Sequence, residues 1–131
     1  MTVSDTKPLI LIADDEPELL SIYREKLEQA GFRVLTAANG EQAVRIATAE
    51  RPDLILMDVK MPIIDGVAAQ QKLKDNPATK DLKVVFLTAF SDPRALEIDE
   101  EYTRRIGALD FIKKGTSLDE LVKRVWGYLK K

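Results

Sequence analysis

Three short and almost purely apolar runs constrain the fold of this chain more than any other feature. They are Leu9–Ala13, Leu54–Met57 and Val84–Leu87, and each one ends at a polar residue. Runs this short are typical of strands, and strands that are apolar on both faces are typical of a parallel sheet with helices on either side. Two weaker strands are predicted at Arg33–Ala37 and Asp110–Ile112.

Segments with the apolar spacing of helices lie between and after these strands. Asn39 and Ser117 are predicted to cap the second and fifth helices. Strand and helix therefore alternate five times, which predicts an α/β fold with helices on both faces of the sheet. The side chains expected to face the core, given for the first to the fifth helix in turn, are Leu20, Tyr23, Leu27 and Ala30; Ala43, Val44 and Ala47; Val67, Ala69, Gln70 and Leu73; Ile98, Tyr102 and Ile106; and Leu118, Leu121, Val122, Val125 and Leu129.

Composition limits the chemistry that is open to the chain. Its 131 residues contain no cysteine and no histidine, so disulfides, thiolate sites and histidine bases are excluded. The net charge of −2 disfavours direct binding of nucleic acid, and no apolar run approaches the ~20 residues that span a bilayer. We expect one soluble, cytoplasmic domain over residues 1–131, with its core from about residue 8 to residue 129.

Polar residues collect where the predicted strands end. Asp14 and Asp15 follow the first strand, Asp58 the third, Thr88 the fourth and Lys114 the fifth. In an open parallel sheet, ligands bind beyond the carboxyl ends of the strands, so these side chains are expected to converge. Two like charges 4 Å apart repel by roughly 4 kcal/mol at an effective dielectric of 20, and Mg²⁺ is the hard cation that suits a few carboxylates. A metal, a lysine and a hydroxyl around one carboxylate predict a phosphoryl group on Asp58.

Four sequence blocks resemble the signature blocks of response-regulator receiver domains, in order along nearly the whole chain. The resemblance implies a flavodoxin-like, doubly wound sheet of five parallel strands in the order 2-1-3-4-5, with five helices. It also implies a two-component phosphorelay in which a histidine kinase or a phosphotransfer protein donates the phosphoryl group. The blocks are Ala13–Pro17, Asp58–Gly66, Leu87–Ala89 and Gly107–Lys114.

The resemblance assigns the phosphoacceptor and the metal ligands. Asp58 matches the acceptor, Asp15 matches the direct Mg²⁺ ligand, and Asp14 matches the acid that holds metal-bound water. The main-chain carbonyl of Lys60 falls where the family uses a carbonyl ligand.

The resemblance also assigns a switch. Thr88 matches the switch hydroxyl, Phe111 the switch aromatic and Lys114 the family's invariant lysine. The family usually has proline after that lysine, whereas this chain has Gly115. A cis bond before a residue other than proline costs ~2.5–4 kcal/mol, so a trans Lys114–Gly115 bond is predicted.

Simpler and competing interpretations stand beside this one. The stretch from Thr88 to Lys114 is longer than is usual in the receiver-domain family, and the extra residues are expected in Phe90–Pro93 or in the fourth helix. The alternative function left open is a degenerate receiver that binds partners constitutively. A dehalogenase-type phosphatase would need an acid where Lys60 stands, and an FMN-binding flavodoxin would need a phosphate loop at Asp14–Pro17.

Some of these residues also have purely structural interpretations. Thr88 and Phe111 could be ordinary strand and core residues. Trp126 and Tyr128 are expected to pack at the edge of the core, with an interface anchor as the alternative.

Overall fold

The computed structural model describes residues 7–89 and 99–131. Five strands and five helices alternate along these residues. They are β1 (Leu9–Ala13), α1 (Pro17–Gln29), β2 (Arg33–Ala37), α2 (Gly40–Glu50), β3 (Leu54–Asp58), α3 (Gly66–Asp75), β4 (Val84–Thr88), α4 (Glu100–Arg105), β5 (Asp110–Lys113) and α5 (Leu118–Leu129).

The five strands form one parallel sheet in the order β2-β1-β3-β4-β5. This order confirms the predicted flavodoxin-like α/β fold. Successive strand residues point to opposite faces, so Leu11, Ile55 and Phe86 enter one apolar cluster, with α2 and α3. Ile10 and Leu56 enter the other cluster, with α1 and α5. The core is therefore two apolar layers, one on each side of the sheet.

The strands β3, β4 and β5 each run one residue further than the sequence predicts. Asp58 pairs with Leu87 in the ladder between β3 and β4, and Thr88 pairs with Lys113 in the ladder between β4 and β5. Backbone pairing continues past the last apolar side chain because hydrogen bonding in the sheet does not depend on side-chain polarity. Asp58 and Thr88 are thus held by the sheet itself.

The helix caps follow the predicted side-chain chemistry. The Asn39 side chain accepts a hydrogen bond from the Gln42 N–H at the start of α2. The Ser117 hydroxyl does the same for the Glu120 N–H at the start of α5. Each cap satisfies one of the unpaired N–H groups that every helix has at its first turn.

The described residues of the inward faces predicted for α3 and α4 pack on the core, and each of the two helices also buries a polar residue. On α3 the side chain of Gln70 is fully buried, and its amide donates a 3.2 Å hydrogen bond to the Ile106 carbonyl after α4. On α4 the buried residue is Thr103, and Tyr102 is half-buried. Ile98 and the segment Phe90–Pro93 lie outside the described residues.

The last helix corrects one expectation about its aromatic residues. Tyr128 is 4% exposed and belongs to the core cluster, so it does not pack at an edge. Trp126 is 39% exposed and its ring lies 4.4 Å from that of Phe32, which is edge packing as predicted. Among the helices of the described residues, none has both the length and the apolar character that crossing a membrane requires.

Candidate functional site

The carboxyl ends of β1, β3 and β5 bring two acids and one lysine together. The Lys114 Nζ atom lies 2.8 Å from Asp14 Oδ2 and 3.0 Å from Asp58 Oδ2. Asp14 is fully buried and Asp58 is 3% exposed. Carboxylates from two separate strand ends therefore meet at a single ammonium group.

Two more acids follow Asp14 in the turn that leads into α1. Asp15 and Glu16 are exposed, and one carboxylate oxygen of each lies within 4.8 Å of the others in a group with Asp14. Glu16 also lies 3.2 Å from Lys114 Nζ. Sequence reasoning did not include Glu16 in the site, although its place beside the paired aspartates was a signal. These four carboxylates against one ammonium leave a net negative site when all are ionised.

The loop after β3 is folded tightly against the Asp58 backbone. The Lys60 N–H donates a 3.3 Å hydrogen bond to Asp58 Oδ1, and the Lys60 side chain is exposed. The Gly66 N–H donates to the Val59 carbonyl at 2.8 Å. A Cβ atom at Gly66 would lie only 2.2 Å from the Asp58 carbonyl oxygen. Only glycine permits this approach, and it places the start of α3 directly beside Asp58.

Asp65 and Ile63 complete that loop. The Asp65 side chain accepts a hydrogen bond from the Ala68 N–H and caps α3. Ile63 is 70% exposed and has φ of 71°, a left-handed conformation that is strained for a β-branched residue. The loop that carries Lys60 thus stores strain next to Asp58.

The β5 side of the site holds Lys114 through its main chain. The Lys114 N–H donates to the Thr88 carbonyl at 2.9 Å, and the Tyr23 hydroxyl donates to the Lys114 carbonyl at 3.3 Å. The described chain has no cis peptide bond, which confirms the predicted trans Lys114–Gly115 bond. Thr88 is 5% exposed at the end of β4, and Phe111 is half-buried against the α3 side of the core.

Burial and charge shift the acid–base properties of these groups. Burial, helped by the negative charge of Asp14, raises the pKa of Asp58 to about 6 despite its contacts with Lys114. Burial also raises the pKa of Asp14. Burial alone would lower the pKa of Lys114, but the adjacent carboxylates of Asp14 and Asp58 raise it above its usual range. Lys114 is therefore permanently charged, and it only partly offsets the cost of the buried acids.

The oxygen atoms of the site fit a small divalent cation. Asp14 Oδ2 is buried and, within the described part of the chain, receives no well-directed hydrogen bond besides its ion pair with Lys114. One carboxylate oxygen each of Asp14, Asp15 and Glu16 lies within 4.8 Å of the others, and opposite ligands of Mg²⁺ at ~2.1 Å lie about 4.2 Å apart. The donor set is all oxygen, as Mg²⁺ prefers. The turn from Asp14 to Glu16 could therefore contribute carboxylate oxygens to a cation site beside Asp58.

A second network of polar side chains lies away from this site and was not predicted from the sequence. Arg124 on α5 is half-buried and donates to Asp110 Oδ2 at 3.1 Å and to the Phe111 carbonyl at 3.0 Å. The Tyr128 hydroxyl donates to the same Asp110 oxygen at 2.5 Å. Burial raises the pKa of Asp110, but its contacts with Tyr128 and Arg124 outweigh burial and lower it overall. The spacing of Arg124 and Tyr128, one helical turn apart, was the available signal.

The family of the chain follows from comparison with known proteins. Residues 10–126 match the model of the response regulator receiver domain. The chain belongs to this family. Over 120 residues it is 31% identical to the polar-differentiation response regulator DivK of Brucella anthropi, covering 92% of this chain and 94% of DivK. Over 120 residues it is 34% identical to sporulation initiation phosphotransferase F of Bacillus subtilis, covering 92% of each chain.

A solved receiver domain has the same fold. The receiver domain of sensor histidine kinase PA1611 from Pseudomonas aeruginosa superposes with a TM-score of 0.83 at 29% identity, covering 96% of this chain and all of that one. That crystal structure has a magnesium ion coordinated in its active site cleft. The likeness extends the family assignment from sequence to three-dimensional structure.

Proposed function

We propose that this receiver domain accepts a phosphoryl group on Asp58, with Mg²⁺ bound by its acidic cluster. The observation that carries the proposal is the contact between buried Asp58 and Lys114 Nζ, beside three further carboxylates. A buried nucleophilic carboxylate beside a fixed cation is suited to phosphoryl transfer, which depends mainly on positioning and charge neutralisation. On this proposal the chain is a signalling phosphoacceptor, and we expect it to hydrolyse its own aspartyl phosphate slowly.

The proposed transfer needs no base. An ionised Asp58 oxygen attacks the phosphorus atom of the donor, a new O–P bond forms, and the bond from phosphorus to the leaving group breaks. Asp15, Asp58 and the Lys60 carbonyl would hold Mg²⁺ directly and Asp14 would hold water bound to it, and the ion would supply positive charge to the phosphoryl oxygens. The Lys114 ammonium then leaves the Asp58 carboxylate oxygen and forms an ion pair with a phosphoryl oxygen.

The proposed donor is a histidine kinase or a histidine phosphotransfer protein. The name of the Bacillus relative, a phosphotransferase, supports a place in a phosphorelay. The added phosphate carries close to two negative charges at pH 7, and Thr88 at the end of β4 is proposed to donate a hydrogen bond to it. Movement of Thr88, followed by Phe111 on β5, would then change which partner protein binds.

Phosphorylation by a small acyl phosphate tests the proposal. With Mg²⁺, the intact mass should rise by one phosphoryl group, and chelator should prevent the increase. Asp58→Ala should abolish the modification, whereas Asp75→Ala, which changes an exposed aspartate at the end of α3, should leave it unchanged. Labelling that survives in Asp58→Ala refutes the assignment, and an unlabelled wild-type protein favours the alternative of a degenerate receiver that binds partners constitutively.

A further inference from the structure

The Tyr23 side chain extends to the site from the apolar layer between α1 and the sheet. Its side chain is 3% exposed and belongs to the core cluster of α1 and α5. Its hydroxyl donates a 3.3 Å hydrogen bond to the carbonyl oxygen of Lys114, which is 91 residues further along the chain. A buried phenol needs a partner for its O–H group, and here that partner is the backbone of the lysine that contacts Asp58.

The backbone of Lys114 has little other support on its C-terminal side. Lys114 stands just past the last residue of β5, so its carbonyl has no place in the sheet ladder. Gly115 follows, and a Cβ atom at Gly115 would meet nothing within 4 Å. Glycine in open space leaves the backbone many conformations. The Thr116 N–H returns to the Lys113 carbonyl at 2.9 Å, which closes the turn but does not hold the Lys114 carbonyl.

The two main-chain groups of Lys114 are therefore held by two different elements of the fold. Its N–H is held by the Thr88 carbonyl on β4, and its carbonyl is held by Tyr23 on α1. Its Nζ atom must meet Asp14 and Asp58 together, at 2.8 Å and 3.0 Å. A long, flexible side chain meets two such targets more often when its backbone is fixed. Burial raises the pKa of Tyr23, so the hydroxyl keeps its proton and donates over the working pH range.

We infer that Tyr23 is a positioning residue for the phosphoacceptor site, acting through its hydrogen bond to the Lys114 carbonyl. The inference rests on the proposed phosphorylation of Asp58. The hydrogen bond of the Tyr23 hydroxyl goes to Lys114 and not to Asp58, so its effect on phosphorylation should depend on the presence of the Lys114 ammonium. This dependence separates positioning from a general contribution to stability.

A double-mutant cycle tests the dependence. Tyr23→Phe keeps the buried ring and removes only the hydroxyl, and it should slow phosphorylation of Asp58 by a saturating acyl phosphate and Mg²⁺ by roughly three- to tenfold, as expected for a slightly misplaced group. In the Lys114→Ala background the same change should alter the rate less than twofold. Equal slowing by Tyr23→Phe in both backgrounds overturns the inference. So does the absence of slowing in the protein that retains Lys114.

A matched control separates this effect from the loss of any buried tyrosine hydroxyl. Tyr128→Phe removes a hydroxyl bound to Asp110 at the other end of β5, and it should lower thermal stability without slowing phosphorylation. Slowing as large as that of Tyr23→Phe would contradict a specific role for Tyr23.

Carbon NMR measures the hydrogen bond without any activity. A donor polarises the carbonyl that it binds, so the Lys114 carbonyl ¹³C resonance should move upfield in Tyr23→Phe and stay in place in Tyr128→Phe. In the wild-type protein the Tyr23 hydroxyl proton should be protected from solvent exchange, a measurement that requires no variant to fold. An unshifted carbonyl or a rapidly exchanging hydroxyl overturns the inference. If wild-type Asp58 takes no phosphate, the proposed function fails, while the carbonyl shift still reports on Tyr23.

Discussion

Replacing Asp58 by asparagine should stabilise the metal-free protein. The pKa of Asp58 rises from 3.8 to about 6, chiefly through burial and secondly through the charge of Asp14. A rise of about two units corresponds to roughly 3 kcal/mol of destabilisation when Asp58 is ionised. The amide removes that charge, and Lys114 keeps its contacts with Asp14 and Glu16. The raised pKa already includes the attraction of Lys114, so no separate cost for the ion pair is subtracted. Because an amide is an imperfect substitute for a neutral carboxyl group, we expect a net gain of about 2 kcal/mol.

The gain should depend on pH in a defined direction. Because the folded-state pKa of Asp58 lies above the unfolded value, its ionisation destabilises the fold. The penalty is small below about pH 3.8, grows between about pH 3.8 and 6, and is complete above about pH 6. The advantage of Asp58→Asn should therefore be largest at pH 7 to 8 and fall towards zero as the pH drops below about 3.8. For a chain of this size, about 2 kcal/mol corresponds to a rise in Tm of roughly 5 to 8 °C.

Thermal unfolding followed by circular dichroism in chelator measures this gain. Asp75→Asn, at an exposed position, is the control and should leave Tm nearly unchanged. Added Mg²⁺ should stabilise the wild type more than Asp58→Asn, because ligand binding to the folded state stabilises it. Equal melting temperatures for wild type and Asp58→Asn in chelator at pH 7.5 would refute the argument that the carboxylates are clustered and undercompensated.

Two further predictions concern the surroundings of the site. Ile63→Asn should raise stability by about 1 kcal/mol in urea unfolding, because asparagine tolerates the left-handed backbone that strains isoleucine; a loss of stability would contradict strain at Ile63. Arg124→Met should cost about 1–2 kcal/mol at pH 7 through its lost hydrogen bonds. Because the pKa of Asp110 is lowered in the fold, that cost should shrink as the pH falls below 3.8, and a cost that is constant with pH would argue against the pairing.

The fold was largely predictable because its signals are local. Apolar runs such as Leu54–Met57 indicate buried parallel strands, and the alternation of strand and helix indicates the α/β class. The last residue of β3 was not predictable from polarity, since Asp58 is hydrogen-bonded within the sheet although its side chain is charged. Strand order was expected from the family resemblance, not from the apolar pattern, and the structure confirms it.

The candidate site was predictable only in part. Asp14, Asp58 and Lys114 end or follow parallel strands, whose carboxyl ends share one edge of the sheet, and the structure brings their side chains together. Their chemical roles stay predictions. The contacts of Glu16 and Tyr23 with Lys114 depend on how α1 packs on the sheet, which no local pattern specifies.

The polar core residues were the hardest to predict. Arg124 on α5 has the sequence context of a solvated basic residue, but Asp110 and the Phe111 carbonyl bind it across to β5. Gln70 was expected to face inward, yet its partner, the Ile106 carbonyl, depends on the position of α4 relative to α3. Such contacts join distant parts of the chain, so only the assembled fold reveals them.

Acids from the ends of β1 and β3 are proposed to form one cation site around Asp58. A crystal soaked with Mn²⁺, as an anomalous substitute for Mg²⁺, reveals where such an ion binds. We expect one anomalous peak bonded to carboxylate oxygens of both Asp15 and Asp58 at ~2.1–2.2 Å. A peak that contacts only the Asp14–Glu16 turn, or the absence of a peak near Asp58 at saturating Mn²⁺, would contradict the proposal.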